Sequence, residues 1–300
     1  MNQVVILGPT ASGKSDVAMA LASERGDVEI VAVDAMQVYR GMNIGTAKPS
    51  TYDQREVPHH CIDLVEPSEA YTVAEFQLAA QAALTQIAGR NQVAAIVAGT
   101  GMYLTAVIDN LTLPGEWPAI RTELEAEGDI DSLFRRLNAL DPAAAAKIEP
   151  TNQRRIVRAL EVCIGSGRPF SSFGPGTAAY PQIDTPQIGL RWSRDMLTNR
   201  VAQRVRRMLD SGLLDEVRDL LNRPGGLSRT ARQALGYREL IAAIEGTCSL
   251  DEAVAETILR TRQFAVRQER WFRRDPRIRW VDITADPVAE VLPVVRQYLS

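Results

Sequence analysis

Residues 4–22 read VVILGPTASGKSDVAMALA, and this stretch constrains the fold more than any other. Its first four residues, Val4, Val5, Ile6 and Leu7, form a short apolar run of strand type that stops at a glycine. Gly8, Pro9, Thr10, Ala11, Ser12, Gly13, Lys14 and Ser15 follow, spelling G-x-x-x-x-G-K-[ST]. Val17, Ala18, Leu21 and Ala22 then recur at helical spacing. The physics of a phosphate cradle needs this order. Glycines let the backbone wrap closely round an anion, backbone N–H groups turn inward, and the following helix adds positive potential at its N-terminus. Lys14 supplies a point charge, and the Ser15 hydroxyl is a Mg²⁺ ligand of the usual type.

The rest of the chain supplies the sheet that such a loop requires. Residues 28–33 are apolar but for Glu29 and lead into Asp34; residues 92–98 are apolar after Gln92 and end at Gly99-Thr100-Gly101. Mainly apolar runs of this length suit strands buried on both faces. Helices are expected from Tyr71 or Thr72 to about Gly89 and from Met102 to Asn110, with residues 35–71 as loop. Strand–helix alternation predicts a parallel α/β sheet. The character changes at Leu113-Pro114-Gly115, after which residues 118–167 carry helical signals only, near 131–140 and 152–164. Residues 168–186 read as a loop and 187–192 as a strand returning to the sheet. Helices at about 195–222 and 249–274, a strand at 277–281 and a helix at 286–299 close the chain. The expected fold is α/β, a P-loop NTPase-like parallel-sheet core with a helical insertion domain. Its divisions are 1–113 for the first part of the core, 114–190 for the insertion and 191–300 for the completed core.

Composition excludes several classes. No apolar run reaches the roughly 20 residues of a membrane span, and the N-terminus lacks signal-peptide order. Cys61, Cys163 and Cys248 are scattered and share no metal-type spacing, which suits a reducing cytoplasm. The net charge of −3 by itself argues against nucleic acid, but its distribution does not. Residues 1–110 carry 12 acids against 6 bases, whereas residues 191–280 carry 19 arginines, no lysine and 12 acids. Such asymmetry is the footprint of an anionic partner, or else simply of a chain that uses 31 Arg and 3 Lys.

Ligands of open parallel sheets bind beyond the carboxyl ends of the strands. The P-loop, Asp34 and Gly99-Thr100-Gly101 all stand at such ends and should line one cleft. Asp34 reads either as a general base or as an acid holding Mg²⁺ through water, and as a turn residue otherwise. Thr100 reads as a donor to a phosphate oxygen or as a turn hydroxyl. Arg200, Arg204 and Arg207 share a helical face, as do Arg260, Arg267 and Arg274; each row is a phosphate contact or a solvated face paired with Asp210, Asp215 and Glu216. His59, His60 and Cys61 are metal-ligand types, but neighbours in sequence cannot easily aim at one ion.

Beyond the P-loop, the stretch Asp34-Ala35-Met36-Gln37-Val38-Tyr39-Arg40-Gly41-Met42-Asn43-Ile44-Gly45-Thr46-Ala47-Lys48-Pro49 resembles the bacterial tRNA dimethylallyltransferase (tRNA isopentenyltransferase) family. Pro58-His59-His60, Gly99-Thr100-Gly101-Met102-Tyr103, residues 155–162, Leu235-Gly236-Tyr237 and Thr261-Arg262-Gln263 resemble later motifs of that family in the same order, so the likeness spans nearly the full length. Ala35, Asn43, Ala98 and Arg154 depart from its commonest residues.

The resemblance implies a transferase moving a dimethylallyl group from dimethylallyl diphosphate to the exocyclic N6 amine of the adenosine immediately 3′ of the tRNA anticodon. It implies that Asp34, Thr100 and Arg204 are catalytic, Asp34 taking the amine proton while Thr100 and Arg204 contact the leaving diphosphate. Residues 8–15 would then hold diphosphate rather than ATP, with Mg²⁺ at Ser15. Asp34, Ala35, Met36 and Gln37, with Arg154, Arg155 and Arg158 of the insertion, would meet the tRNA anticodon stem-loop. A cytoplasmic monomer without membrane attachment is expected. Residues 1–110 alone also permit a P-loop small-molecule kinase, and a nucleotide-gated regulator of RNA binding is a third reading. The stretch after Asp34 and the arginine-rich C-terminal half speak against the kinase.

Overall fold

The computed structural model describes residues 2–174 and 176–299; Pro175, in the expected 168–186 loop, lies outside them. The chain opens with β1 (Gln3–Leu7), α1 (Lys14–Arg25) and β2 (Val28–Val33). It continues through α2 (Thr51–Glu56), β3 (His59–His60), α3 (Val73–Gly89), β4 (Val93–Ala98) and α4 (Gly101–Ile108). Helices α5 (Pro118–Glu127), α6 (Ile130–Leu140), α7 (Pro142–Ala145) and α8 (Gln153–Ser166) follow. The last part holds β5 (Gln187–Trp192), α9 (Arg194–Asp210), α10 (Leu213–Leu221), α11 (Arg229–Arg232), α12 (Tyr237–Ile244), α13 (Leu250–Phe272), β6 (Ile278–Ile283) and α14 (Pro287–Arg296).

Two compact units result, one of Met1–Ile108 with Gln182–Ser300 and one of Asp109–Pro181. The larger holds a six-stranded, wholly parallel sheet in the order β3-β2-β4-β1-β5-β6. Every residue of β2 and β4 is buried, as their apolar runs require, and the one charged member, Glu29, is paired with Arg90 and His60. Period-two alternation sorts them between two cores. Val5, Leu7, Val31, Val33 and Ile96 pack against Phe76, Val217 and Leu240 on one face; Val4, Ile6, Ile30 and Val97 pack against Leu21 and Val291 on the other.

The smaller unit is a helical cluster around Leu124, Leu133, Leu137, Ile156 and Leu160. Its limits correct the expected insertion of 114–190: residues 187–189 pair with Val5, Ile6 and Leu7, so the chain is back in the sheet before residue 190. The expected loop at 35–71 contains α2, capped by a Ser50–Asp53 box, and the two-residue edge strand β3. The expected helix at 195–222 is two helices, parted where Gly212 adopts φ +94°.

Candidate active site

The larger unit carries a cavity of about 1050 Å³ at the carboxyl ends of β1, β2 and β4. The P-loop, Asp34, Gly99 and Arg204 all line it, so the strand-end stretches do converge. Gly13 takes φ +94° at the loop's last turn, a region that favours glycine, and Pro287 would collide with any Cβ there. Ala11 also takes a left-handed φ of +63°.

Lys14 and Arg204 give the cavity its electrostatic character. Burial, together with the nearby Arg204 charge, pushes the Lys14 ammonium down to about 8, against an opposing pull from Asp34 and Asp16. Burial likewise lowers Arg204, with Asp34 opposing and Arg207 adding to the shift. Neither forms an ion pair with a carboxylate among the described residues, and the Lys14 Nζ donates only a long bond, 3.4 Å, to the Pro9 carbonyl. Ser15 lies exposed in the same lining.

Asp34 is fixed by its own turn. Its Oδ1 accepts the Met36 N–H (2.8 Å) and the Gln37 N–H (3.3 Å). This Asx-type geometry holds the carboxylate at the end of β2 by local backbone chemistry. The Ala35 N–H donates to the Thr100 hydroxyl (3.3 Å), which couples the ends of β2 and β4. Gly99, rather than Thr100, is the member of that glycine-flanked turn that lines the cavity. The Gln37 Nε2 donates to the Thr46 and Ala47 carbonyls (3.1 and 3.2 Å), closing residues 34–47 into one wall.

The anchors of that wall come from far along the chain. One carboxylate, Glu216 on α10, accepts the N–H groups of Asn43, Ile44 and Gly45 (3.0, 2.8 and 3.2 Å) and the Tyr237 hydroxyl (2.6 Å). Gly45 must be glycine here, because a Cβ would stand 2.4 Å from the Tyr237 ring. Lys48 donates to the Tyr39 carbonyl (2.7 Å) and Asp63 (2.5 Å). Gln268 on α13 accepts from the Thr10 N–H (2.9 Å) and donates to the Gly99 carbonyl (2.6 Å), bracing the P-loop against β4. Glu216 and Gln268 carry no local sequence signal, since each acts on backbone far from it in the chain; Asp63 instead pairs with the Lys48 side chain, 15 residues away.

The arginine rows divide their labour. Arg200, Arg204 and Arg207 all line the cavity; Arg200 also donates to the Ala11 carbonyl, and Arg207 is exposed. Asp215 pairs with Arg218, and Glu216 is spent on the 43–45 turn, so neither screens that row. In the other row Arg260 pairs with Glu256 and Glu239, Arg267 lies over Phe264, and Arg274 lies over Trp271. His60 bonds Glu29 (2.6 Å), His59 bonds the Val57 carbonyl (2.8 Å), and Cys61 is buried.

Within the smaller unit, Arg154 and Arg155 are exposed on the first turn of α8, whose N-terminus is capped by Asn152. Arg158 does not stand with them: its guanidinium pairs with the buried Glu161 (3.1 Å) and donates to the Pro114 carbonyl (3.0 Å). Glu161 also accepts from Arg121 (2.9 Å) and the Trp117 N–H (2.7 Å). Arg158 thus serves the buried Glu161, which needs its cations close, while 28% of its side chain stays exposed.

Comparisons with known proteins agree with this geometry. A family model described as IPP transferase matches residues 37–275, and one described as isopentenyl transferase matches residues 1–59. A tRNA dimethylallyltransferase of Streptomyces coelicolor is 45% identical over 281 residues, covering 93% of this chain and 89% of the relative. The Geobacter metallireducens protein of the same name is 46% identical over 287 residues, covering 93% and 92%. Among solved structures, the full-length tRNA isopentenylpyrophosphate transferase of Bacillus halodurans superposes with a TM-score of 0.72 at 36% identity, covering 99% of this chain and 96% of that one. A eukaryotic dimethylallyltransferase acting on tRNA gives 0.82 at 25% identity, covering 99% and 78%.

Proposed function

Because this chain belongs to the tRNA dimethylallyltransferase (IPP transferase) family, we propose that it moves a dimethylallyl group from dimethylallyl diphosphate to N6 of the adenosine immediately 3′ of the anticodon, releasing diphosphate. The observation that carries the reading is the cavity's unpaired positive charge, Lys14 and Arg204, set beside a fixed carboxylate, Asp34. An allylic C–O bond breaks as the N6–C bond forms. Charge then grows on the departing diphosphate, which Lys14 and Arg204, lining the cavity with the P-loop, stabilise. N6 is a weak nucleophile until it loses its proton, and Asp34, with Oδ1 engaged by two N–H groups, takes that proton through Oδ2. Each preorganised donor to the leaving group is worth roughly 3 kcal/mol. The adenine must leave its stack to enter the cavity.

Mg²⁺ fits the residues present. Among the described residues no group of three or more His, Cys, Asp or Glu is placed to hold a metal. Mg²⁺ in phosphate sites needs only one or two protein oxygens, the rest being water and phosphate, and Ser15 supplies one. It would neutralise charge on the leaving diphosphate. Arg154 and Arg155 are the residues of the smaller unit read as gripping the anticodon loop. A monomer in the cytoplasm completes the reading, supported by three free cysteines; among the described residues no helix is long and apolar enough to cross a membrane. The test is incubation with tRNA and dimethylallyl diphosphate without ATP, then nucleoside mass analysis. A prenylated adenosine is expected; an ATP requirement would return the kinase reading.

A further inference from the structure

Two carbonyls of the P-loop are held from outside it. The Arg200 Nε donates to the Ala11 carbonyl (2.8 Å), and the Trp192 Nε1 donates to the Ser12 carbonyl (2.9 Å). The two side chains also hold each other, the Arg200 guanidinium carbon lying 4.4 Å from the Trp192 ring centroid. Trp192, the last residue of β5, is only 5% exposed, and Ser12 is fully buried. The bracket grips the segment where Ala11 takes φ +63°, a conformation alanine disfavours and neighbours must impose.

A trans peptide is a rigid plane with its carbonyl and N–H on opposite edges. Pinning the Ser12 carbonyl therefore fixes the direction of the Gly13 N–H, and pinning the Ala11 carbonyl holds the Ser12 N–H in its turn bond to the Pro9 carbonyl (3.3 Å). We propose that Trp192 and Arg200 are positioning residues that preset the P-loop backbone for diphosphate, acting on its carbonyls rather than on the ligand. The inference rests on the diphosphate reading given above. A loop already held in its binding shape loses no freedom when the anion arrives, so the bracket acts on affinity for both the substrate's diphosphate and the product. A sequence reading of Arg200 as one of three phosphate contacts misses this, because the stacked partner lies on another element.

The experiment uses the full-length protein and two conservative variants. Trp192→Phe keeps an aromatic ring under Arg200 but removes the Nε1–H; Arg200→Lys keeps the charge but loses the planar Nε. Binding of inorganic diphosphate with Mg²⁺ is measured by calorimetry, alongside KM and kcat for transfer at saturating tRNA. Each variant is expected to raise the diphosphate Kd and donor KM about five- to tenfold, the weight of one hydrogen bond, with kcat within about twofold. An unchanged Kd for Trp192→Phe overturns the proposal, whatever happens to thermal stability. A raised Kd for Arg200→Lys alone also overturns it, since the guanidinium would then act on the anion directly rather than through a bracket shared with Trp192. If Trp192→Phe does not fold, Ala11→Gly added to Arg200→Lys carries the test: glycine takes φ +63° without help from the bracket, so the double variant should recover diphosphate Kd toward wild type, and no recovery rejects the preset loop. Wild-type protein that binds ATP but not diphosphate would instead reject the diphosphate reading itself.

Discussion

The two units each bury charge, and they do so in opposite ways. In the smaller unit one carboxylate, Glu161, is enclosed by two guanidinium groups and a backbone N–H. Burial pushes its carboxyl up, but Arg121, the Trp117 N–H and Arg158 more than offset this and hold it below the ordinary carboxylate range. In the cavity of the larger unit the desolvated groups are cations, Lys14 and Arg204, and both are held below their ordinary values. The first cluster is complete as it stands. The second lowers its energy when an anion enters, which marks it as a site rather than a strut.

Replacing Asp34 by Asn tests this contrast most severely. Single-turnover transfer should fall by roughly 10²–10⁴-fold, the usual weight of a positioned base, with tRNA and diphosphate binding retained. Rescue to near wild-type rate by added Mg²⁺ would make Asp34 a metal holder instead. Glu161→Ala should do the reverse, leaving chemistry at the cavity alone while lowering stability by about 2–4 kcal/mol in denaturant unfolding. That figure is the cost of breaking a buried pair, discounted because Arg121 and Arg158 keep part of their surface in water. A stability unchanged within about 0.5 kcal/mol would mean the Glu161 cluster is as replaceable as a surface pair.

Lys14→Ala should weaken diphosphate binding about 10–100-fold, the range for a charge-assisted contact, and slow transfer, without destabilising the free protein. Loss of stability comparable to Glu161→Ala would erase the distinction drawn here. A pH series gives a milder reading of the same group. Lys14 is charged below about 8, so diphosphate affinity should be greatest there and decline as pH rises through about 8, by at most tenfold per unit. Lys14→Arg should flatten that decline in calorimetry; an identical profile would assign it to another group. The smallest effect belongs to Arg154 and Arg155. Substituting both by Ala should weaken tRNA binding several-fold and reduce the slope of log affinity against log salt by about 1–2, with diphosphate binding unchanged.

What could be read from the sequence is what is contiguous. Residues 8–15 announce their conformation because each phosphate-binding group sits a fixed number of residues from the next. Asp34 was legible because a strand end carries it, and its Asx turn closes within three residues. The arginine row on α9 was visible as a row, and all three residues line the cavity, but only tertiary structure shows that Arg200 is tied to the Ala11 carbonyl while Arg204 is desolvated. Glu216, Gln268 and Trp192 could not be found locally, since their backbone partners lie 169 to 258 residues away. The Arg158–Glu161 pair is local, three residues apart, but the partners that mark Glu161 as a buried hub, Arg121 and the Trp117 N–H, lie 40 and 44 residues away.

The sheet order also sets a timetable for synthesis. β1 leaves the ribosome first, yet its two neighbours are β4 and β5, whose pairing residues begin near 94 and 187. At about 5–20 residues per second the nascent chain waits on the order of 10–40 s between making the first strand and covering its second edge. During that interval an apolar strand edge, Val5 to Leu7, stands open to other chains crowding the same polysome. Gln268 arrives later still, so the enzyme cannot acquire its braced anion site until nearly nine-tenths of the polypeptide exists. Truncated translation products of this gene should therefore be clients for chaperones rather than partial enzymes.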